Sequence, residues 1–201
     1  QPEVTKALTL AEDAEVVVLA AYVRIVIGSG TVELPETHKN FINQLLQKNK
    51  NVVPFEEVLK DLLMWLKESR GEFLIIGGIA VSLLTRPRTT QDIDVLGILD
   101  ESQWEKFLKM GFRFGFVPRI KDALEFVRIN RVLLMRHKES NLDIDISFGA
   151  LPFEEESLKR GVIHTIGKLK IPLPTPEDLI IMKAVAHRPQ DMIDIQAILG
   201  M

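Results

Sequence analysis

The chain contains no cysteine, and that absence excludes disulfides, thiol catalysis and thiolate zinc sites. Its histidines, His38, His137, His164 and His187, never fall at i, i+4 spacing, so they offer no zinc pattern either. No G-x-x-x-x-G-K-[ST] string and no G-x-S-x-G string occurs, which removes the ordinary P-loop and hydrolase readings. No apolar run reaches the roughly 20 residues of a membrane span. The longest, Val16 to Ile27, is interrupted by Arg24. Glu12, Asp13 and Glu15 stand where a signal peptide would carry positive charge, so a cytoplasmic protein with no membrane partner is expected. Internal repeats and low-complexity segments are absent as well.

The 201 residues suit one domain, or a domain with an appendage. Hydrophobic residues at 46% and charged residues at 26% fit a globular chain with a real core. Against 25 Lys and Arg stand 28 Asp and Glu, a net charge of −3. That balance argues against a surface that coats nucleic acid generally, while leaving room for a local basic groove.

The chain is organised around Gly77 to Asp94, G-G-I-A-V-S-L-L-T-R-P-R-T-T-Q-D-I-D. Phe73 to Ile76 reads as a buried strand that two glycines end. Ile79 to Leu84 reads as a short buried helix broken before Pro87. After a Thr/Arg-rich loop, Asp92 to Leu96 reads as a second strand. Alternation along that strand puts Asp92 and Asp94 on one face, about 7 Å apart, with Ile93 and Val95 on the other. Aspartate is disfavoured in strands, so two of them between apolar neighbours ask for a chemical reason. Paired carboxylates facing a glycine turn at a helix start suit a metal and phosphate site. Leu142 to Phe148 is a further strand and carries Asp143 and Asp145 on a common face.

The double glycine, the D-x-D strand and the later strand carboxylate, in that order, resemble the DNA polymerase β-type nucleotidyltransferase superfamily. The fuller string GGIAVSLLTRPRTTQDIDV is closer still to its small prokaryotic branch that includes the AbiEii-type toxins. The similarity continues through Asp143-Ile144-Asp145, Pro152-Phe153-Glu154 and the tail from Pro176 to Asp194, covering roughly Phe73 to Leu199. It implies an α+β fold: a polymerase β-like core with a mixed sheet of about five strands packed on helices. It also implies Mg²⁺ (or Mn²⁺) held by Asp92, Asp94 and Asp145. Gly77, Gly78, Arg88, Thr90 and Lys183 would contact the nucleotide. The third carboxylate is assigned to Asp145 over Asp143 because an unpaired acid between Ile144 and Ile146 would be costly without a function. Its seven-residue spacing to Pro152 also matches the superfamily pattern.

The reaction implied is transfer of a nucleoside monophosphate from a nucleoside triphosphate to a hydroxyl of RNA such as tRNA, of a protein, or of a small molecule. The alternative is an inactive partner protein of the same fold, one half of a toxin–antitoxin pair.

The expected organisation is a helical extension over residues 1–70 and a core over 71–201 with C-terminal helices. In the extension, Thr9-Leu10-Ala11-Glu12 has the form of a capping box opening a helix to Gly28. Glu36 to Lys50 reads as a second helix, and Pro54 opens a third that ends near Gly71. The nearly all-apolar Val16–Ile27 segment would serve a homo-oligomer or an antitoxin interface. Further on, Phe112 to Val117 and Glu125 to Arg136 are expected as strands. Arg119, Lys121, Arg128, Arg131, Arg136 and Lys138 would then form either a solvated face or a positive wall for phosphates. Asp191 and Asp194 are expected to partner Arg188 or helix ends.

Overall fold

The structure is a computed structural model that describes residues 55–85, 90 and 92–201. The helices expected over Thr9–Gly28 and Glu36–Lys50, and the candidate Arg88, lie outside the described residues.

The first described element is helix α1 (Phe55–Ser69), whose buried stripe is Phe55, Val58, Leu59, Leu62, Trp65 and Leu66. Strand β1 (Glu72–Ile76) runs directly into helix α2 (Gly77–Leu84), and β2 (Asp92–Ile98) follows the Thr/Arg-rich loop. A 3₁₀ turn at Glu101–Gln103, capped by the Asp100 carboxylate on the Ser102 N–H, leads into α3 (Trp104–Gly111). Then come β3 (Phe116–Pro118), α4 (Ala123–Asn130), β4 (Val132–His137) and β5 (Asp143–Phe148). Helix α5 (Pro152–Arg160) precedes the hairpin β6 (Val162–Ile166) and β7 (Leu169–Leu173). Helices α6 (Pro176–Ala186) and α7 (Pro189–Leu199) follow, each with proline in its first turn, where the missing N–H costs nothing.

The five-stranded sheet has the order β1-β2-β5-β4-β3, with β2 and β5 parallel and the other pairs antiparallel. This is the mixed sheet and the α+β class the sequence predicts. Ile75, Ile93, Val95, Leu133, Met135, Ile144, Ile146 and Phe148 belong to one buried cluster with α1 and α3. Trp65 stacks on Phe107 and Phe116 there, with ring centroids 4.5 and 5.2 Å apart, and donates its indole N–H to the Phe107 carbonyl. Such stacked pairs contribute roughly 0.5–1.5 kcal/mol beyond the area they bury. Helix α1, which the sequence reading places in the extension, is therefore packed into the sheet's core. The alternate residues of β1 and β2, Leu74 and Leu96, join Leu158 of α5 in a second small cluster. Among the described residues, no helix is long and apolar enough to cross a membrane.

Two expected strands are corrected. Ala123–Asn130 is a helix: Ala123 and Val127, four apart, are its buried residues, so the 3.6 period outweighs the alternation read along Phe126, Arg128 and Asn130. Arg131, at φ 56°, ends that helix, and the strand begins only at Val132. Phe112–Phe114 is a 3₁₀ turn closed by Gly115 at φ 82°, which leaves β3 three residues long. The basic residues of this region do not form one wall. Arg131 is spent on the Phe148 and Gly149 carbonyls, and Arg128 lies 3.9 Å from Glu101.

Candidate active site

Both D-x-D strings lie on neighbouring parallel strands in register, with Asp92 opposite Asp143 and Asp94 opposite Asp145. Strand alternation turns all four carboxylates to one face, while Ile93, Ile144 and Ile146 go fully into the core. Oxygens of Asp92, Asp94 and Asp145 lie within 4.8 Å of one another. Hard oxygen donors at that separation suit a divalent cation such as Mg²⁺, so the residues present fit the metal the sequence implies.

The electrostatics are those of crowded, partly buried carboxylates. Burial, and then the charges of Asp92 and Asp145, push the Asp94 carboxyl up to about 6, although Lys183 and Arg188 pull it down. The Asp145 carboxyl is also raised, first by burial, with Arg119 opposing. Asp143 goes the other way: the Arg136 hydrogen bond comes first among the causes that hold its carboxyl below the usual range. Arg136 grips Asp143 through Nε at 2.6 Å and Nη2 at 3.2 Å. The fourth carboxylate is thus neutralised by a neighbouring strand.

Gly77 opens α2 at φ 64°, beside the third strand position of β2. A Cβ there would stand 1.8 Å from Asp94 Oδ2, so only glycine lets the helix start approach this carboxylate. No side chain caps that N-terminus, so the first-turn N–H donors, which begin at Gly77 and Gly78, have no side-chain cap. Gly77→Ala should cost about 1–2 kcal/mol from the left-handed backbone alone. Displacing Asp94 by an ångström or so should also lower transfer roughly 100-fold. Thermal melts and initial rates on the same preparation check both effects. Wild-type rates would show that the approach is not needed.

Other expected site residues are placed less directly. Thr90 Oγ1 lies 3.2 Å from both the Asp92 carbonyl and Asp92 Oδ1, so it braces a carboxylate. Lys183 is buried at 4% exposure and binds Asp191 at 3.0 Å and Asp194 at 2.9 Å. Its charge favours the ionised form of Asp94 and so pulls that carboxyl down. Arg188 donates its backbone N–H and its Nε to Asp191 Oδ2, at 3.0 and 2.8 Å. Burial works against ionisation of Asp191, but the Arg188 and Lys183 hydrogen bonds outweigh it and hold that carboxyl far below the usual range. The sequence predicts the Arg188 partner and leaves Lys183 open between a local salt bridge and the site; the structure shows the salt bridge, with Asp191 and Asp194. An i, i+8 spacing across the Pro189 break was the available signal. Arg119, read there only as part of a basic region, in fact bridges Asp143 and Asp145.

No curated protein matches the chain in sequence. Among solved structures, it is similar to the lincosamide antibiotic adenylyltransferase LnuA in its lincomycin-bound form. The TM-score is 0.53 at 18% identity, over 74% of this chain and 97% of that one. It is also similar to an antigenic nucleotidyltransferase-like protein from Paracoccidioides brasiliensis, with TM-score 0.52 and 17% identity, over 72% of this chain and 75% of that one. These likenesses establish the fold. The family described as "Nucleotidyl transferase AbiEii toxin, Type IV TA system" matches residues 57–201, which include the glycine turn, both D-x-D strands and the Lys183 helix pair. The chain belongs to the AbiEii family of nucleotidyltransferases.

Proposed function

We propose that this nucleotidyltransferase moves a nucleoside monophosphate from a nucleoside triphosphate to an acceptor hydroxyl, with Mg²⁺ or Mn²⁺ held by Asp92, Asp94 and Asp145. The observation that carries this reading is the convergence of these three carboxylates, within 4.8 Å, beside an uncapped helix start that only glycine can bring so near. When bound, the cations orient the triphosphate and lower the pKa of the acceptor hydroxyl. The acceptor oxygen bonds to the α-phosphorus as the bond to the leaving pyrophosphate breaks. Gly77 and Gly78 offer N–H groups to the phosphates, where negative charge is favoured. Arg88 and Thr90 are assigned to the nucleotide, and Thr90 also fixes Asp92. Lys183 contributes through its charge on Asp94.

The acceptor is a hydroxyl of RNA, protein or a small molecule, and labelled triphosphates in a cell extract identify which molecule gains label. No label in any fraction, with metal and each of the four nucleotides supplied, overturns the reading. Assignment of the third carboxylate is tested separately. Asp145→Asn should abolish Mg²⁺-dependent transfer, whereas Asp143→Asn, whose partner Arg136 sits on the outer side, should lower it by about tenfold or less. The reverse order would move the third ligand two residues along β5, to Asp143. The first fifty residues, with the apolar Val16–Ile27 segment, are proposed as a homo-oligomer or antitoxin interface. A chain lacking residues 1–50 should keep metal binding but change its association state, read as molar mass by light scattering, or its solubility. An unchanged association state and solubility remove the interface.

A further inference from the structure

Arg119 follows β3 and is anchored by its backbone N–H on the Leu134 carbonyl, 3.0 Å away, in the strand position opposite Asp145. Its guanidinium bridges two carboxylates. Nη1 donates to Asp143 Oδ2 at 2.8 Å, and Nη2 donates to Asp145 Oδ1. Asp143 does not depend on this bond for neutralisation, because Arg136 holds it from the other side. Among the described residues, Asp145 has no second cation of that kind. The remaining donor, Arg119 Nε, is buried and has no hydrogen-bond partner among them. A buried donor left unsatisfied is costly, so the bridged pose has a rival wherever Nε finds an acceptor.

We propose that Arg119 is a displaceable counterion of the metal site: it neutralises Asp145 until a divalent cation takes that carboxylate, and then swings away on its Asp143 contact. The proposal rests on the metal-site reading above. Three carboxylates without a cation repel one another, and a guanidinium on one of them relieves that repulsion. The same guanidinium repels an incoming divalent cation and occupies one of the two oxygens that Asp145 offers. Arg119 therefore makes the metal-free site tolerable at the expense of metal affinity. Once released, it faces acceptors that a triphosphate would supply, and arginine suits phosphate oxygens in pairs. Arg119 is a positioning residue, since it acts through Asp145.

The test is Mn²⁺ binding, read as the free-ion paramagnetic resonance signal, on the full chain without nucleotide. Losing a charge-assisted bond of this kind is worth roughly tenfold, so Arg119→Gln should bind Mn²⁺ about ten times more tightly than wild type. Its metal-free Tm should fall. Arg136→Gln, which touches only Asp143, should leave Mn²⁺ affinity within about twofold. Arg119→Lys keeps the charge but cannot bridge two carboxylates, and should bind with intermediate strength. If the glutamine variant does not fold, the lysine variant decides alone: tighter binding supports the counterion, and equal or weaker binding overturns it. Weaker or unchanged affinity in Arg119→Gln, with wild type binding Mn²⁺, overturns this inference and leaves the metal site standing. Absence of binding in wild type and every variant overturns the metal site and the counterion together.

Discussion

Asp94→Asn should produce a protein that no longer transfers nucleotide yet, without metal, is more stable than wild type. Burial and the neighbouring Asp92 and Asp145 raise the Asp94 carboxyl from 3.8 to about 6 in the folded chain. The unfolded chain releases that proton near pH 4. Between those values the folded state holds more protons, so stability falls as pH rises and the full penalty is present above about pH 7. A shift of this size corresponds to about 2–3 kcal/mol. Asparagine removes the charge and with it the penalty, so the gain should be largest near pH 8 and fade toward pH 4. Urea melts in a chelator across that range measure it. Adding Mg²⁺ should stabilise wild type and leave the variant unmoved, because only the native state of wild type presents the ligand set. A variant less stable than wild type in chelator at pH 8 would mean that the aspartate is structural.

The second large effect is expected behind the carboxylates, where Lys183 is buried. Lys183→Met removes the cation shared by Asp191 and Asp194, which are 0% and 1% exposed. Breaking one partner out of a buried ionic group typically costs about 3–5 kcal/mol; Arg188 still answers Asp191, so the lower end of that range is expected. Against a total stability of about 5–15 kcal/mol, that is a large share. In a chain of this size each kcal/mol moves Tm by about 2–4 °C, so a drop near 10 °C is expected by calorimetry. Replacing Asp191 and Asp194 by asparagine in the same variant should restore part of the loss, since whole networks are worth less than their broken halves. A melt identical to wild type would show that the ammonium is not paired in solution. Activity should suffer as well, because Lys183 is one of two cations that pull the Asp94 carboxyl down.

Both predictions concern charges whose positions the sequence shows and whose partners it hides. Aspartates at i, i+2 between isoleucines share a face by backbone geometry alone, and β2 and β5 bear that out with their alternating burial. The glycine turn is equally local, being a matter of one φ angle and one missing Cβ. So the D-x-D strands, the Gly77–Gly78 turn and the α+β class were all legible in the chain. The strand expected over Glu125–Arg136 holds from Val132 onward but not over Glu125–Asn130, where a mixed pattern fits either period until burial of Ala123 and Val127 chose the helix.

What the sequence by itself determined is therefore what short-range sterics determine: which carboxylates share a face, and where backbone can come close to them. Tertiary structure alone decided which of those charges are answered. Arg119 reaches Asp143 and Asp145 across 24 and 26 residues, and does so only because β3, β4 and β5 pair in one register. Lys183 meets Asp191 and Asp194 only because α6 and α7 fold back on each other after Arg188. A pairing between charges depends on separations of a few ångströms and on how much water is excluded, and neither quantity exists until the chain has packed.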